Sequence, residues 1–357
     1  MKGQRIAALM LAVLLLGGCS WMDGSYVSVT PHQVGLGQTG AGTVNSVHNY
    51  TELRGALIGM IDNGTEKALF SLAEYPREKV PEDLRRAVDY AQGIYPVGAY
   101  AVESIAYNFG TGLGASALSV DITYRRGRAQ IESIRTVRWT SGAKKEVENA
   151  LEQFEDDLVL QIEGYQEMDF SAIIMDYAQR NPDRVMEVPG VSVRKFPDQG
   201  ETRVVELSFH YRTDRDELRA MRDQVQPVFS SAALYVSGGA GEWTKFHQLH
   251  TFLTERLEYT IEPTATPAYS LLCEGIGDSH AFAQVYGAMC SRIGLEARVV
   301  AGKRNGESWW WNMVRIDGNW FHLDLLANQQ FVLLSDGQMS GYEWDHAAYP
   351  AAVDAVE

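Results

Sequence analysis

A short stretch in the carboxy-terminal third leaves the chain little freedom of fold. Asp317-Gly318 separates two alternating runs, Trp309 to Ile316 and Asn319 to Leu325. Asp-Gly between such runs is a strong signal for a two-residue hairpin. With that turn Ile316 pairs with Asn319, so Trp311 stands opposite Asp324, and Trp309 lies diagonal to Asp324 on the same face. Upstream, Asp278 is placed to cap a helix from Ser279 to Ile293 that buries Phe282, Val285, Met289 and Ile293 and stops at Gly294. Ala297 to Ala301 reads as a strand and Lys303 to Ser308 as a polar loop. The expected class is α+β, with a helix packed on an antiparallel sheet.

Five segments of this region carry a family likeness. Ala268-Tyr269-Ser270-Leu271, Ser279-x-x-Phe282-Ala283, Arg292-x-Gly294-x-x-Ala297-Arg298-Val299-Val300-x-Gly302, Trp311-Asn312-x-Val314 and Asp317-Gly318-x-Trp320-Phe321-His322-x-Asp324 resemble the signatures of transglutaminase-like (papain-type thiol) domains. Leu334-Ser335-Asp336 and Trp344-Asp345 are similar to a stretch found in lipid-anchored members. The resemblance covers residues 242–350. It implies a cysteine at the start of the helix that attacks an acyl group, a histidine opening the second strand that activates it, and an aspartate on the third strand that orients the histidine. Those three positions hold Ser279, Trp309 and Asp324. A serine hydroxyl needs a base within hydrogen-bond reach, and indole offers only a donor nitrogen. Losing a nucleophile or its base costs ~10⁴ to 10⁶ in rate. The expectation is a degenerate triad with no catalytic residue, a pseudoenzyme, and no cofactor or metal.

Substitute chemistry has few sources. Cys290 lies eleven residues below Ser279, ~16 Å along a helix axis, and reads as core. Cys273 sits in the approach loop. His280 points about 100° around the helix from Ser279. His322 shares a face with Asp324 and is the best replacement base. The rival expectation is an acyl-transfer enzyme, peptidase or amidase using Ser279 or a re-sited cysteine; a third makes the domain a structural spacer or assembly module. Five of the eight tryptophans lie between Trp309 and Trp344, and aromatic faces stack on sugars and extended peptides. Tyr269, Trp309, Trp311, Trp320 and His322 are therefore candidate ligand-binding residues for a peptide or glycan of the cell envelope, set against the simpler reading that the rings fill vacated space.

The amino terminus reads as an export signal over 1–18: Lys2 and Arg5, an apolar run Ile6 to Leu16, then Gly17-Gly18 before Cys19. Eleven apolar residues fall short of the ~20 that span a bilayer. Leu16-Gly17-Gly18-Cys19 resembles a bacterial lipobox, which implies lipidation at Cys19 and an extracytoplasmic protein anchored to the membrane by lipid. Removing the leader takes the formal charge from −15 to −17, a sign that repels phosphate backbones and makes nucleic acid an unsuitable partner. Residues 19–48 read as a flexible tether rich in Gly, Ser, Thr and Val.

The middle of the chain carries a duplication. Asp89-Tyr90-Ala91-Gln92 recurs as Asp176-Tyr177-Ala178-Gln179, and at the same offset of 87 Tyr124-Arg125, Arg128 and Arg135 meet Tyr211-Arg212, Arg215 and Arg222. Each copy, 49–137 and 138–241, reads as a helix followed by a hairpin. Downstream, His247 and His250 lie three apart on an amphipathic helix with no third ligand in register, which makes them ordinary helix residues and not a metal site.

Overall fold

The structure is a computed structural model that describes residues 30–31, 45–110, 116–327 and 330–353. The leader, Cys19 and most of the tether lie outside the described residues.

Two sheets of similar strand order make up the middle of the chain. In the first, β2 (Asn45–Ser46) runs parallel to β3 (Lys67–Ser71), joined by the helix Tyr50–Asp62, and the hairpin β4 (Val102–Gly110) and β5 (Ala117–Tyr124) completes the order β2-β3-β5-β4. In the second, β6 (Arg135–Arg138) runs parallel to β7 (Asp157–Glu163), joined by the helix Trp139–Gln153. The hairpin β8 (Gly190–Phe196) and β9 (Thr202–His210) follows, giving β6-β7-β9-β8, with β1 (Thr30–Pro31) against the outer edge of β6. Each unit is thus strand, helix, strand, helix and hairpin, larger than the helix-plus-hairpin expected from the sequence. The first unit begins inside the expected tether, since Asn45–Ser46 pairs with β3 and Val47 is buried. The second unit's sheet begins at Arg135, ahead of the expected boundary at 138.

The elements start where side chains satisfy free amides. Asn49 Oδ1 accepts from Glu52 N–H at 3.0 Å and Asp169 Oδ1 from Ala172 N–H at 2.9 Å, capping one helix in each unit. The units stack through an apolar core that includes Val159 and Val204 of the second. Beside it Arg126 forms a bidentate pair with Glu206 at 3.2 and 3.1 Å.

The carboxy-terminal region has its own sheet, ordered β14-β13-β12-β15, with β12 Ala297–Arg304, β13 Glu307–Ile316, β14 Asn319–Leu323 and β15 Tyr342–Trp344. Ile316 pairs with Asn319, and Asp317 and Gly318 both take positive φ, 47° and 84°, as the hairpin turn requires. The helix Ser279–Arg292 lies across this sheet, capped by Asp278, whose Oδ1 accepts from Ala281 N–H at 2.8 Å. Phe282, Val285 and Met289 are buried as expected, Ile293 is a half-buried cap beyond the helix end, and burial takes in every residue from Ala281 through Cys290. The sheet covers one side, while the helices Arg215–Tyr235 and Glu242–Thr254 and the second unit's Phe170–Arg180 cover the others. Small residues admit this close packing; a Cβ on Gly287 would meet Val299 at 3.3 Å. Behind the sheet a smaller core gathers Val300, Trp311, Met313, Met339 and Ala352.

Candidate functional site

The site lies where the amino end of the Ser279 helix meets the start of β13. Ser279 is buried, and its Oγ accepts from the backbone N–H of Trp310 at 3.3 Å. Strand alternation sends Trp309 and Trp310 to opposite faces. Trp310 packs on the His280 ring, centroids 4.3 Å apart, on the helix side. Trp309 lies between the Tyr259 ring at 5.6 Å and the Arg304 guanidinium at 5.1 Å.

Trp309 reaches Asp324. Its Nε1–H donates to Asp324 Oδ2 at 2.8 Å, across the diagonal that the hairpin register dictates. The same oxygen accepts from Tyr342 O–H at 2.6 Å; Oδ1 accepts from Leu326 N–H at 2.9 Å, and Arg304 stands 3.5 Å away. A carboxylate so buried needs this many partners. Burial and the neighbouring Asp324 push the Tyr342 hydroxyl well above its ordinary range, so it stays a donor. The indole therefore makes the contact an imidazole N–H would make, and offers no basic nitrogen in return.

The replacement bases and thiols are placed elsewhere. His322 is completely buried: Trp311 Nε1–H donates to its Nδ1 at 2.9 Å, which leaves the proton on Nε2, facing Asp336 Oδ1 at 2.9 Å. Burial lowers its pKa against the pull of Asp336. With both nitrogens engaged it is neither a free base nor a ligand contact, contrary to expectation. His280, lowered by burial against the opposing charge of Asp278, has no hydrogen bond to Ser279 among the described residues. Cys290 is buried and its thiol pushed far up by desolvation; Cys273 is exposed and also raised, desolvation first.

The expected aromatic binding face is also revised. Trp311 is fully buried behind the sheet and presents nothing to solvent. Trp320, half-buried under Arg298 with its guanidinium 5.2 Å from the ring, pairs across the strand with Arg315. Six positions therefore separate it from Trp309, ~20 Å along the strand. Tyr269 is half-buried against the main core. Tyr269, Trp309 and Trp320 do not form one surface. Trp310, which the sequence reading passed over, is the ring that faces a cavity of about 320 Å³ on the helix side, together with His280 and Gln284. Its place in the alternation of β13 was the available signal.

Residues 231–325 match the family model described as Transglutaminase-like superfamily. No curated protein matches the chain. Among solved structures it is similar to the crystal structure of a TGase, at 12% identity over 48% of this chain and 51% of that one, with a TM-score of 0.27. It is similar also to a proposed cysteine protease from Cytophaga hutchinsonii, at 14% identity over 43% and 70% with a TM-score of 0.27. A third likeness is to a proposed protease from Parabacteroides distasonis, at 11% identity over 60% and 47% with a TM-score of 0.23. The chain thus spans about half the length of the first of these. On this sequence match the chain carries a transglutaminase-like domain over residues 231–325.

Proposed function

We propose that the protein is a lipid-anchored extracytoplasmic lipoprotein whose transglutaminase-like domain is non-catalytic and binds peptide or glycan at the cell envelope. The observation that carries the reading is the Trp309–Asp324 hydrogen bond at 2.8 Å. It seats an indole in the base's place and leaves Ser279 Oγ with a backbone amide as its hydrogen-bond partner. A serine without a base is a poor nucleophile. The anchor rests on Cys19 and the apolar leader before it.

The test compares the unaltered protein with the double variant Ser279→Cys, Trp309→His in assays of acyl transfer and peptide hydrolysis, alongside labelling by an acyl-directed probe. The unaltered protein is expected to turn over neither substrate and to show no labelled serine or cysteine, while the double variant gains thiol labelling. Turnover or labelling by the unaltered protein would sink the proposal.

A further inference from the structure

The cavity beside Trp310 is built from two parts of the molecule. One wall comes from the second repeat unit and includes Met175 and Val188; the other comes from the helical turn Pro267–Tyr269 and from His280 and Gln284 of the central helix. It adjoins the Ser279 position directly, since His280 is the next residue and the Trp310 amide donates to Ser279 Oγ. Much of its surface is aliphatic, with Met175 55% and Val188 38% exposed at the rim.

Three polar groups decide what fits. Gln284 is 5% exposed; its Nε2–H donates to Ala178 O at 3.1 Å, and its Oε1 has no hydrogen-bond partner among the described residues. An orphaned buried acceptor asks for an N–H. Glu187 is already satisfied, accepting from the backbone amides of Arg212 and Thr213 at 2.6 and 3.1 Å, which fixes the chain at the rim. The Arg212 side chain is exposed on the cavity and has no hydrogen-bond or ion-pair partner among the described residues. The duplication supplies an internal comparison: at the offset of 87, Arg125 donates through Nε to Val102 O at 3.0 Å, tying down its own unit. Its counterpart is released.

We infer that this cavity binds the carboxy-terminal end of a peptide, with an apolar side chain between Met175, Val188 and Trp310, an amide N–H on Gln284 and the terminal carboxylate on Arg212. The inference rests on the non-catalytic binding reading and narrows it from peptide or glycan to one class. Aliphatic walls take an apolar side chain, whereas a sugar needs polar partners around its ring; Arg212 and a carboxylate form a charge-assisted pair.

Titration calorimetry on the full chain tests this with four probes: N-acetyl-Ala-Leu as the free acid, the same peptide as its amide, N-acetyl-Ala-Ser acid, and chitotetraose. The leucine acid should bind, and its amide and the serine acid should bind on the order of tenfold more weakly. Arg212→Gln should abolish the acid-over-amide preference, and Val188→Asp should weaken the leucine acid; both positions are exposed, and circular dichroism verifies the fold. Equal binding of acid and amide, or equal or tighter binding of the serine peptide or chitotetraose, would overturn the inference while leaving a binding function in place. No binding by any of the four would remove both.

Discussion

Asp324 shows how the chain resolves a local conflict: a carboxylate kept at 2% side-chain exposure must be given donors, and Trp309, Tyr342 and Leu326 give them. His250 is the opposite case. It is 3% exposed on the helix Glu242–Thr254, its Nε2 lacks a hydrogen-bond partner among the described residues, and desolvation, helped by His247, lowers its pKa to about 4. The neutral ring is the form that fits, so below the ordinary pKa of 6.5 the unfolded chain takes up a proton that the folded chain refuses. Stability from this residue is full above pH 6.5, falls as the pH drops towards 4, and levels off below. His250→Leu should therefore flatten the acid side of the stability curve by on the order of 2 kcal/mol. Urea denaturation of both proteins at pH 7 and pH 4.5 measures it, and an unchanged difference between the two would refute the assignment.

Legibility followed how local each element's cause is. The Asp317-Gly318 turn fixes its hairpin within a few residues, and Asp278 caps its helix three residues away, so both could be read directly. The short strands β2, β6 and β15, of two, four and three residues, carry no period of their own and exist because a neighbouring strand offers a free edge. That is why each repeat unit looked smaller in sequence than it is. The site divides the same way: Ser279, Trp309 and Asp324 stand in a recognisable pattern, while Tyr342, Tyr259 and Arg304 reach it from other segments through tertiary packing alone. β15 also depends on Gly302, where an added Cβ would lie 2.3 Å from Glu343 O and 2.7 Å from the Trp311 ring. Gly302→Ala should cost about 3 kcal/mol and loosen β15 from β12. Calorimetry gives the first quantity, and faster amide exchange at 342–344 the second; an unshifted midpoint would count against the close approach.

At the scale of the molecule, the second repeat unit and the transglutaminase-like domain share one interior. Phe154, Met186 and Leu218 belong to the same apolar core as Phe246, Phe282 and Leu323, and Gln284 to Ala178 and Arg292 to Asp183 join the two parts by polar contacts. They should melt together. Leu218→Ala, at a completely buried position, is expected to cost ~2–5 kcal/mol and to lower the transition seen by domain tryptophan fluorescence and by far-ultraviolet circular dichroism equally. Separate shifts in the two signals would argue for independent interiors. The pair Arg125 and Arg212 carries a further lesson about doubled architecture. In two sheets of similar strand order, Arg125 holds its own frame while Arg212, at the matching offset, has no hydrogen-bond or ion-pair partner among the described residues, so a side chain is left at liberty at the seam with the neighbouring domain without either frame having to change.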